Sequence, residues 1–290
     1  MNKSTDIFES YRPVLFRLAY GMLGRITPAE DAVQEAFFRW QKQDIEQINS
    51  PQAFLSTIVS RICLDEIKSA RNQKEQYIGP SLPEPFLVAE SETPEEKMEL
   101  AESLSMALLF VLEQLNPVQR AVFILREVFD YDYASIAEII NKSESHCRKI
   151  AQRARESVQE KKPRFEKNTT KQRELVKTFT KAMQDGELAE IERMLAEEAI
   201  IYSDGGGKVA AARKPVAGAA KIAKFLTGLR KRVSQTLHVE FADVNGEPGI
   251  ILYLDKQLNS VWSFHIEDDK IQSIYAVLNP EKLKHLRSNL

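Results

Sequence analysis

The sequence predicts a multidomain protein in which two all-α blocks precede an α+β domain with helices on a curved antiparallel sheet. Three observations carry this reading. Apolar residues recur at helical spacing from Ile7 to about Tyr77, and again from about Glu99 to Lys161, with no alternating stretch in either block. Beyond Leu237, short β-rich runs separated by turn residues take over. The length, 290 residues, exceeds what one small module requires.

Composition narrows the function classes. The chain is 43% hydrophobic and 28% charged, enough apolar material for packed cores and enough charge for a wetted surface. Its net charge of -2 argues against a protein that coats nucleic acid by bulk charge, so any DNA contact has to come from local basic stripes or through a partner. Cys63 and Cys147 form neither a zinc spacing nor a disulfide framework. The segment Met1 to Tyr11 has no apolar signal-like core, and no run approaches the roughly 20 apolar residues of a membrane helix. The expectation is a soluble cytoplasmic protein.

In chain order, the first helical block spans 1–78. Gly79, Pro80, Pro83, Pro85 and Pro94, with Glu84, Glu90, Glu92, Glu95 and Glu96, then mark 79–98 as an extended linker outside any core. The second helical block covers 99–163, and a basic hinge follows at 164–171. In the third block, 172–290, helices are expected around Gln172–Gln184, Leu188–Leu195 and Ala219–Lys231. Strands are expected at 237–241, 249–254, 260–266 and 271–277, with turns at Asn245-Gly246 and Asp268-Asp269.

Within the first block, Thr27-Pro28-Ala29-Glu30 predicts a capped helix start, with Thr27 as the cap. Val33, Ala36, Phe37 and Trp40 share the inward face of that helix. Asp31, Gln34, Glu35 and Phe38 share the outward face, and an aromatic rimmed by polar groups suits a protein docking site as well as a solvated face. A second helix from about Phe54 buries Leu55, Ile58, Val59 and Ile62, and carries Thr57, Arg61, Lys68 and Arg71 around Leu64 on its other side. Such a basic stripe can track phosphates, although most are simply solvated. The loop from Asn49 and Ser50 to Phe54 is suited to stacking an unpaired base.

The second block holds a helix-turn-helix: Tyr133–Ile140, then Asn141-Lys142-Ser143, then Glu144–Val158. Asn141 suits the left-handed turn position and Ser143 the helix cap. Cys147, Ile150, Ala151, Ala154 and Val158 form the buried stripe. Ser145, Arg148, Lys149 and Gln152, flanked by His146 and Arg153, point outward as groups suited to major-groove edges and phosphates.

At this point the chain resembles a known family. Tyr11-Arg12-Pro13 and Asp31 to Phe37 resemble the σ2 domain of extracytoplasmic-function (ECF) RNA polymerase sigma factors, and Leu115 to Phe123 through the helix-turn-helix resembles their σ4 domain. Leu82-Pro83-Glu84-Pro85, Asp204-Gly205-Gly206-Gly207-Lys208 and Asn279-Pro280-Glu281-Lys282-Leu283 are similar to the marks of the subgroup with a fused SnoaL-like (NTF2-like) domain. Ser81 departs from that subgroup, which usually has Trp there. The resemblance implies a two-domain helical sigma factor followed by an α+β cone. It implies core RNA polymerase (β′ clamp and β flap) and promoter DNA as partners, and a chain that is monomeric when free. It assigns Asp31, Gln34, Glu35 and Phe38 to the β′ clamp helices. Asn49, Ser50, Phe54, Arg61, Lys68 and Arg71 fall to the melted -10 element, and Ser145, His146, Arg148, Lys149, Gln152 and Arg153 to the -35 duplex.

For the third block, Tyr202, Asp204, His238, Asp243, Trp262 and His265 are the available candidates for chemistry, but no nucleophile–base spacing or metal-ligand cluster appears. No catalytic residue, metal or cofactor is therefore expected, and a small ligand in the cone is left open. The expected role is regulation in cis, with the Gly-rich turn holding the linker and the 279–283 segment locking it. Two other classes fit parts of the pattern: a one-component helix-turn-helix regulator with a ligand-binding domain, and a small-molecule enzyme with an accessory helical region.

Overall fold

The computed structural model describes residues 3–74, 77–88, 104–159, 169–232 and 236–287. Residues 89–98 of the predicted linker, with Glu90, Glu92, Pro94, Glu95 and Glu96, and most of the 164–171 hinge lie outside these residues. Among the described residues no helix is long and apolar enough to cross a membrane. The chain divides into two compact units, 1–76 with 111–162, and 77–110 with 163–290.

The first unit is all-helical. Helix α1 (Lys3–Leu23) ends at Gly24, whose φ of 65° closes it through a bond from the Gly24 amide to the Tyr20 carbonyl. Helix α2 (Ile26–Trp40) starts one residue later on an extended Arg25 that makes no side-chain cap. The tight Gly24 closure leaves no room for the cap predicted at Thr27. On the inward face of α2, Val33, Ala36 and Trp40 are buried as expected and Phe37 is half-buried, and the Trp40 Nε1 donates to the Ser4 carbonyl at 2.8 Å. Helix α3 (Pro51–Lys74) begins ahead of the predicted Phe54, with the Ser50 Oγ accepting from the Ala53 amide. It buries Leu55 and Val59 as expected, leaves Ile58 and Ile62 half-buried, and also buries Ser56, Ser60, Cys63 and, on what the sequence reads as its solvent side, Leu64.

The wider burial of α3 comes from the second helical block, which packs within the same unit. Helix α4 (Met106–Leu112) begins in the second unit and ends in the first. Helix α5 (Pro117–Phe123) opens on a reciprocal capping box between Asn116 and Gln119, and runs into a π-helical turn at Ile124–Val128. Helices α6 (Tyr133–Ile140) and α7 (Glu144–Gln159) are the helix-turn-helix. Asn141 takes the left-handed conformation with φ 53°, and Cys147, Ile150, Ala151, Ala154 and Val158 are buried as expected. Arg120 ties the two helical blocks together. It is 4% exposed, and its guanidinium donates to the Leu112 and Met22 carbonyls at 3.0 Å each.

In the second unit, α8 (Thr169–Asp185), α9 (Leu188–Met194) and α10 (Ala219–Arg232) cover a six-stranded sheet. Its strands are β1 (Leu195–Asp204), β2 (Val216–Ala217), β3 (Leu237–Val244), β4 (Glu247–Leu254), β5 (Gln257–Glu267) and β6 (Lys270–Val277), ordered β2-β1-β6-β5-β4-β3. The predicted strands are present and slightly longer. Strand β1 is an addition: Ala196-Glu197-Glu198 breaks its alternation, and its register shifts between Leu195 and Ile200. It pairs with β6 in parallel, so the sheet is mixed and not wholly antiparallel. The long connection through α10 and the β3–β6 meander leaves that strand free to run either way.

Both faces of the sheet are covered. Ile201, Ile250, Leu252, Trp262, Phe264, Ile274 and Ala276 pack with Val176, Phe179, Ile222 and Leu226 of the helices. The alternate residues Val244, Ile251, Tyr253, Val261, Tyr275 and Val277 form a second core with Leu82, Met106, Ala107, Leu283 and Leu286. The start of the predicted linker is therefore part of a core, contrary to the sequence reading. It is extended, as its prolines require, but Leu82 is fully buried and Leu87 makes an antiparallel bridge to Val244. Helix α11 (Lys284–Arg287) closes the chain on that face.

Glu247 lies at the edge of the second core, and burial holds its carboxyl up at about 8. The folded protein thus keeps a proton that the unfolded chain has lost above pH 4.5. Burial moves His265 the other way, to about 4, and that contribution is complete once pH passes 6.5. Stability measured by denaturant titration should therefore fall as pH rises from 6.5 to 8, and Glu247→Gln should flatten the profile across that window.

Candidate functional site

The outward face of α2, which the sequence reading offers for docking, is open to solvent. Asp31, Gln34, Glu35 and Phe38 are all exposed, and Phe38 leaves 48% of its surface in water, a large value for an aromatic. Glu35 pairs with Arg39 one helical turn on, at 2.8 Å. The α7 residues expected to meet the -35 duplex, Ser145, His146, Arg148, Lys149, Gln152 and Arg153, are all exposed. Arg148 bonds Glu144 at 3.2 Å and lies 4.5 Å from the centre of the Tyr133 ring, which steadies its guanidinium. The Gln152 amide donates to Glu156.

The predicted -10 residues are less uniformly available. Asn49 and Ser50 are exposed, and Lys68 is exposed beside Asp65. The Arg71 side chain lies outside the described residues. Phe54 is not an open stacking platform. It is on α3, half-buried, with its ring 6.1 Å from that of Trp40. Arg61 is turned to another use, donating to the Glu138 carbonyl at 2.9 Å and the Ile139 carbonyl at 3.4 Å. These carbonyls end α6, where a cation is favoured by the helix dipole.

The second unit contains a polar site centred on Asp204, at the end of β1. Its carboxylate is fully buried. One oxygen accepts from the Tyr77 hydroxyl at 2.6 Å and the Gly206 amide at 3.0 Å. The other accepts from the Leu82 amide at 2.8 Å and the Lys282 ammonium at 2.7 Å. The Asp204 carbonyl receives the Leu278 and Asn279 amides. Lys282 also reaches the Ser81 Oγ and the Leu82 carbonyl, and Asn279 donates to the Tyr77 hydroxyl. Residues 77–82, 204–206 and 278–282 thus converge on one carboxylate.

The glycines of this site act through space and conformation more than through exposed amides. Gly206 and Gly207 have φ of 58° and 71°. A side chain on Gly206 would start 2.3 Å from the Asn279 amide, and one on Gly207 would start 2.9 Å from Ile78. The sequence reading gave the grip to the whole turn from Asp204 to Lys208, and within that turn the principal contact is the Asp204 side chain. Lys208 pairs with Glu281 at the surface. Leu283 is buried beneath, Pro83 and Pro85 are buried in the linker, and the Pro85 carbonyl meets the His285 Nε2 at 2.9 Å. Ser81, where Trp was expected, contributes the hydroxyl that meets Lys282.

Sequence reasoning missed a second holding point at Asn245. It sits at φ 55° in the β3–β4 turn and is fully buried. Its backbone amide bonds the Phe86 carbonyl at 2.7 Å, its Oδ1 accepts from the Phe86 amide, and its Nδ2 donates to the Leu104 carbonyl. Asn-Gly marks the turn in the sequence, but nothing local distinguishes an asparagine that also pairs with a distant segment.

The candidates for chemistry do not converge. Tyr202 stacks on Tyr275, and Asp243 pairs with Arg173 at 2.7 Å. His238 is exposed near the Tyr253 ring, His265 is buried on β5 and Trp262 lies on the opposite face of that strand. Among the described residues, no group of three His, Cys, Asp or Glu is placed to hold a metal.

Removing the central carboxylate leaves a buried ammonium and a buried amide without their partner. Asp204→Ala should cost about 3–5 kcal/mol in the second unit by thermal unfolding. Lys208→Ala removes a pair that both partners make in water and should leave the melting temperature nearly unchanged.

Comparison with known proteins gives the family of the chain. Residues 7–73 match the family model for Sigma-70 region 2, and residues 105–158 that for Sigma-70 region 4. The chain is 33% identical to the ECF RNA polymerase sigma factor SigJ of Mycobacterium tuberculosis, over 95% of this chain and 91% of that protein. It is 31% identical to the probable ECF RNA polymerase sigma factor SigI of the same organism, over 98% of this chain and 96% of the relative. The crystal structure of M. tuberculosis SigJ matches with a TM-score of 0.79 at 30% identity, covering 97% of this chain and 98% of that one. Helical blocks and α+β tail are both included in these matches, and the chain belongs to the ECF RNA polymerase sigma factors, which direct core RNA polymerase to specific promoters.

Proposed function

We propose that this sigma factor is regulated in cis by its own α+β tail, acting through the clamp on the linker. In this reading Asp31, Gln34, Glu35 and Phe38 dock on the β′ clamp and the second helical block on the β flap. Asn49, Ser50, Arg61, Lys68 and Arg71 serve the -10 element, and the exposed face of α7 serves the -35 duplex. The observation that carries the regulatory part is the convergence of Leu82, Asp204 and Lys282 at 2.7–2.8 Å. The clamped residues belong to the segment that joins the two DNA-facing blocks, so holding them limits how far those blocks separate on a promoter. The Arg61 bonds to the end of α6 support the same view, since they occupy a -10 residue until the helical blocks part.

A linker variant tests this without dismantling the tail. Leu82→Asp places a charge in the second core and should expel the linker while β3 to β6 stay folded. In reconstituted transcription with core polymerase, on a promoter upstream of the protein's own operon, Leu82→Asp should raise transcript yield several-fold. Unchanged yield from a variant whose 77–88 segment has become protease-sensitive overturns the cis-regulatory reading. On the DNA side, Lys149→Ala should weaken binding to all sequences and lower the salt slope by about one, whereas Arg148→Ala should relax preference within the -35 element. Phe38→Ala should weaken capture by core polymerase and leave α2 folded, because the ring is largely outside the core.

A further inference from the structure

The helix-covered side of the sheet contains a cavity of about 500 Å³ that the sigma activity does not use. Its walls are mostly apolar, Met183, Leu226, Leu252 and Trp262 among them, with Ser203, Asn259 and Ser260 as polar groups. The Trp262 Nε1 is already satisfied by the Ser260 Oγ at 2.9 Å, so the interior asks little of a ligand beyond apolar surface. The rim differs. Leu229 is 40% exposed there, and beside it lies Arg230, its Nε directed to the Gln184 carbonyl. An interior of hydrocarbon with a guanidinium at the mouth matches an apolar molecule that ends in one carboxylate.

The cavity and the clamp share two strand ends. Ser203 lines the cavity, and the next residue, Asp204, holds Leu82. Leu278 lines the cavity, and the next residue, Asn279, holds Tyr77. The two strand ends are joined, because the Asp204 carbonyl accepts the amides of both Leu278 and Asn279 at 2.8 Å. The loop after β1 behaves alike. Ala210, Ala211 and Ala212 face the cavity, while a side chain on Gly207 would meet Ile78 of the linker segment. A side chain on Gly205 would start 2.8 Å from the Ala211 Cβ, so the loop has little slack between its two sides.

We propose that this cavity is an effector site for an apolar monocarboxylate, of the fatty-acid type, and that filling it tightens the clamp on the linker. Binding stands on the cavity alone, and the regulatory consequence rests on the clamp reading of the previous section. A ligand against Ser203, Leu278 and Ala210–Ala212 fixes the wall whose far side is the Asp204 site. It thereby reduces local opening of the 77–88 segment.

The test uses the full chain without polymerase, so that its failure is separable from failure of the transcription reading. Decanoate and decanol are titrated calorimetrically, and amide exchange of residues 77–88 is followed by mass spectrometry with and without saturating decanoate. Decanoate should bind at least tenfold more tightly than decanol, and Arg230→Gln should remove most of that preference. Ala212→Trp and Leu229→Trp, two plugs set in half-exposed and exposed positions at the mouth, should each abolish binding while circular dichroism stays unchanged. Exchange across 77–88 should slow about tenfold on binding. No decanoate binding, or equal binding of decanol, overturns the site as assigned. Binding that slows exchange in β4 and β5 but not in 77–88 overturns the coupling, since a ligand that only raises global stability leaves local opening of the linker untouched.

Discussion

The second unit depends on one buried charge. Asp204 gives up water completely and is compensated by a lysine, a tyrosine hydroxyl and two backbone amides, drawn from the linker, the C-terminal segment and its own adjoining loop. A carboxylate in that position is tolerable only while all its partners remain, because each one lost exposes part of the desolvation cost. The arrangement is therefore close to all-or-none. Tyr77 and Leu82 from the linker, Gly206 from the loop and Lys282 from the C-terminal segment are held together or not at all, which gives a polar cluster a specificity that an apolar patch of the same size lacks.

Around that charge, strand alternation divides the work of the sheet. Odd and even residues of β1 and β6 point to opposite faces, so Ile201 and Ile274 meet the helices while Tyr202 and Tyr275 stack on the side that receives the linker. A sheet with apolar residues on both faces requires two covers. The helices α8 to α10 supply one, and the linker with the C-terminal segment supplies the other. The linker is thus at once a tether between the DNA-facing blocks and a structural layer of the tail. Its Pro-rich sequence suits both, being pre-extended and unable to collapse into a helix.

Much of this was legible in the residues. The helix-turn-helix was readable to the residue because its signals are local: a left-handed asparagine, a serine cap and a 3.6-residue apolar stripe. The outward face of α2 was readable for the same reason, and so were the four strands of the meander. The reading failed where a partner lay far away in the chain. Leu64 looked solvent-facing on α3 because nothing near it announces the second helical block that covers it. Phe54 looked open because Trp40 is fourteen positions distant, and Arg61 looked free to meet DNA because the carbonyls it caps belong to residues 138 and 139.

What the sequence by itself determined was the inventory and the family: helices, strands, turn chemistry, and the motif residues from Asp31 to Leu283 that make this an ECF sigma factor with an α+β tail. The elements follow from periodicity and short-range hydrogen bonding, which act over a few residues, and the family from the likeness of the motif residues to those of known sigma factors. The tertiary structure alone decided that the linker is core, that the side chain of Asp204 makes the main grip within its turn, that Asn245 is a second hold, and that a cavity lies one residue away from the clamp. Each of those depends on desolvation and packing between segments a hundred or more residues apart, or on which side of a strand a neighbour falls. Such terms are set by the assembled fold and leave no mark in any local window of the chain.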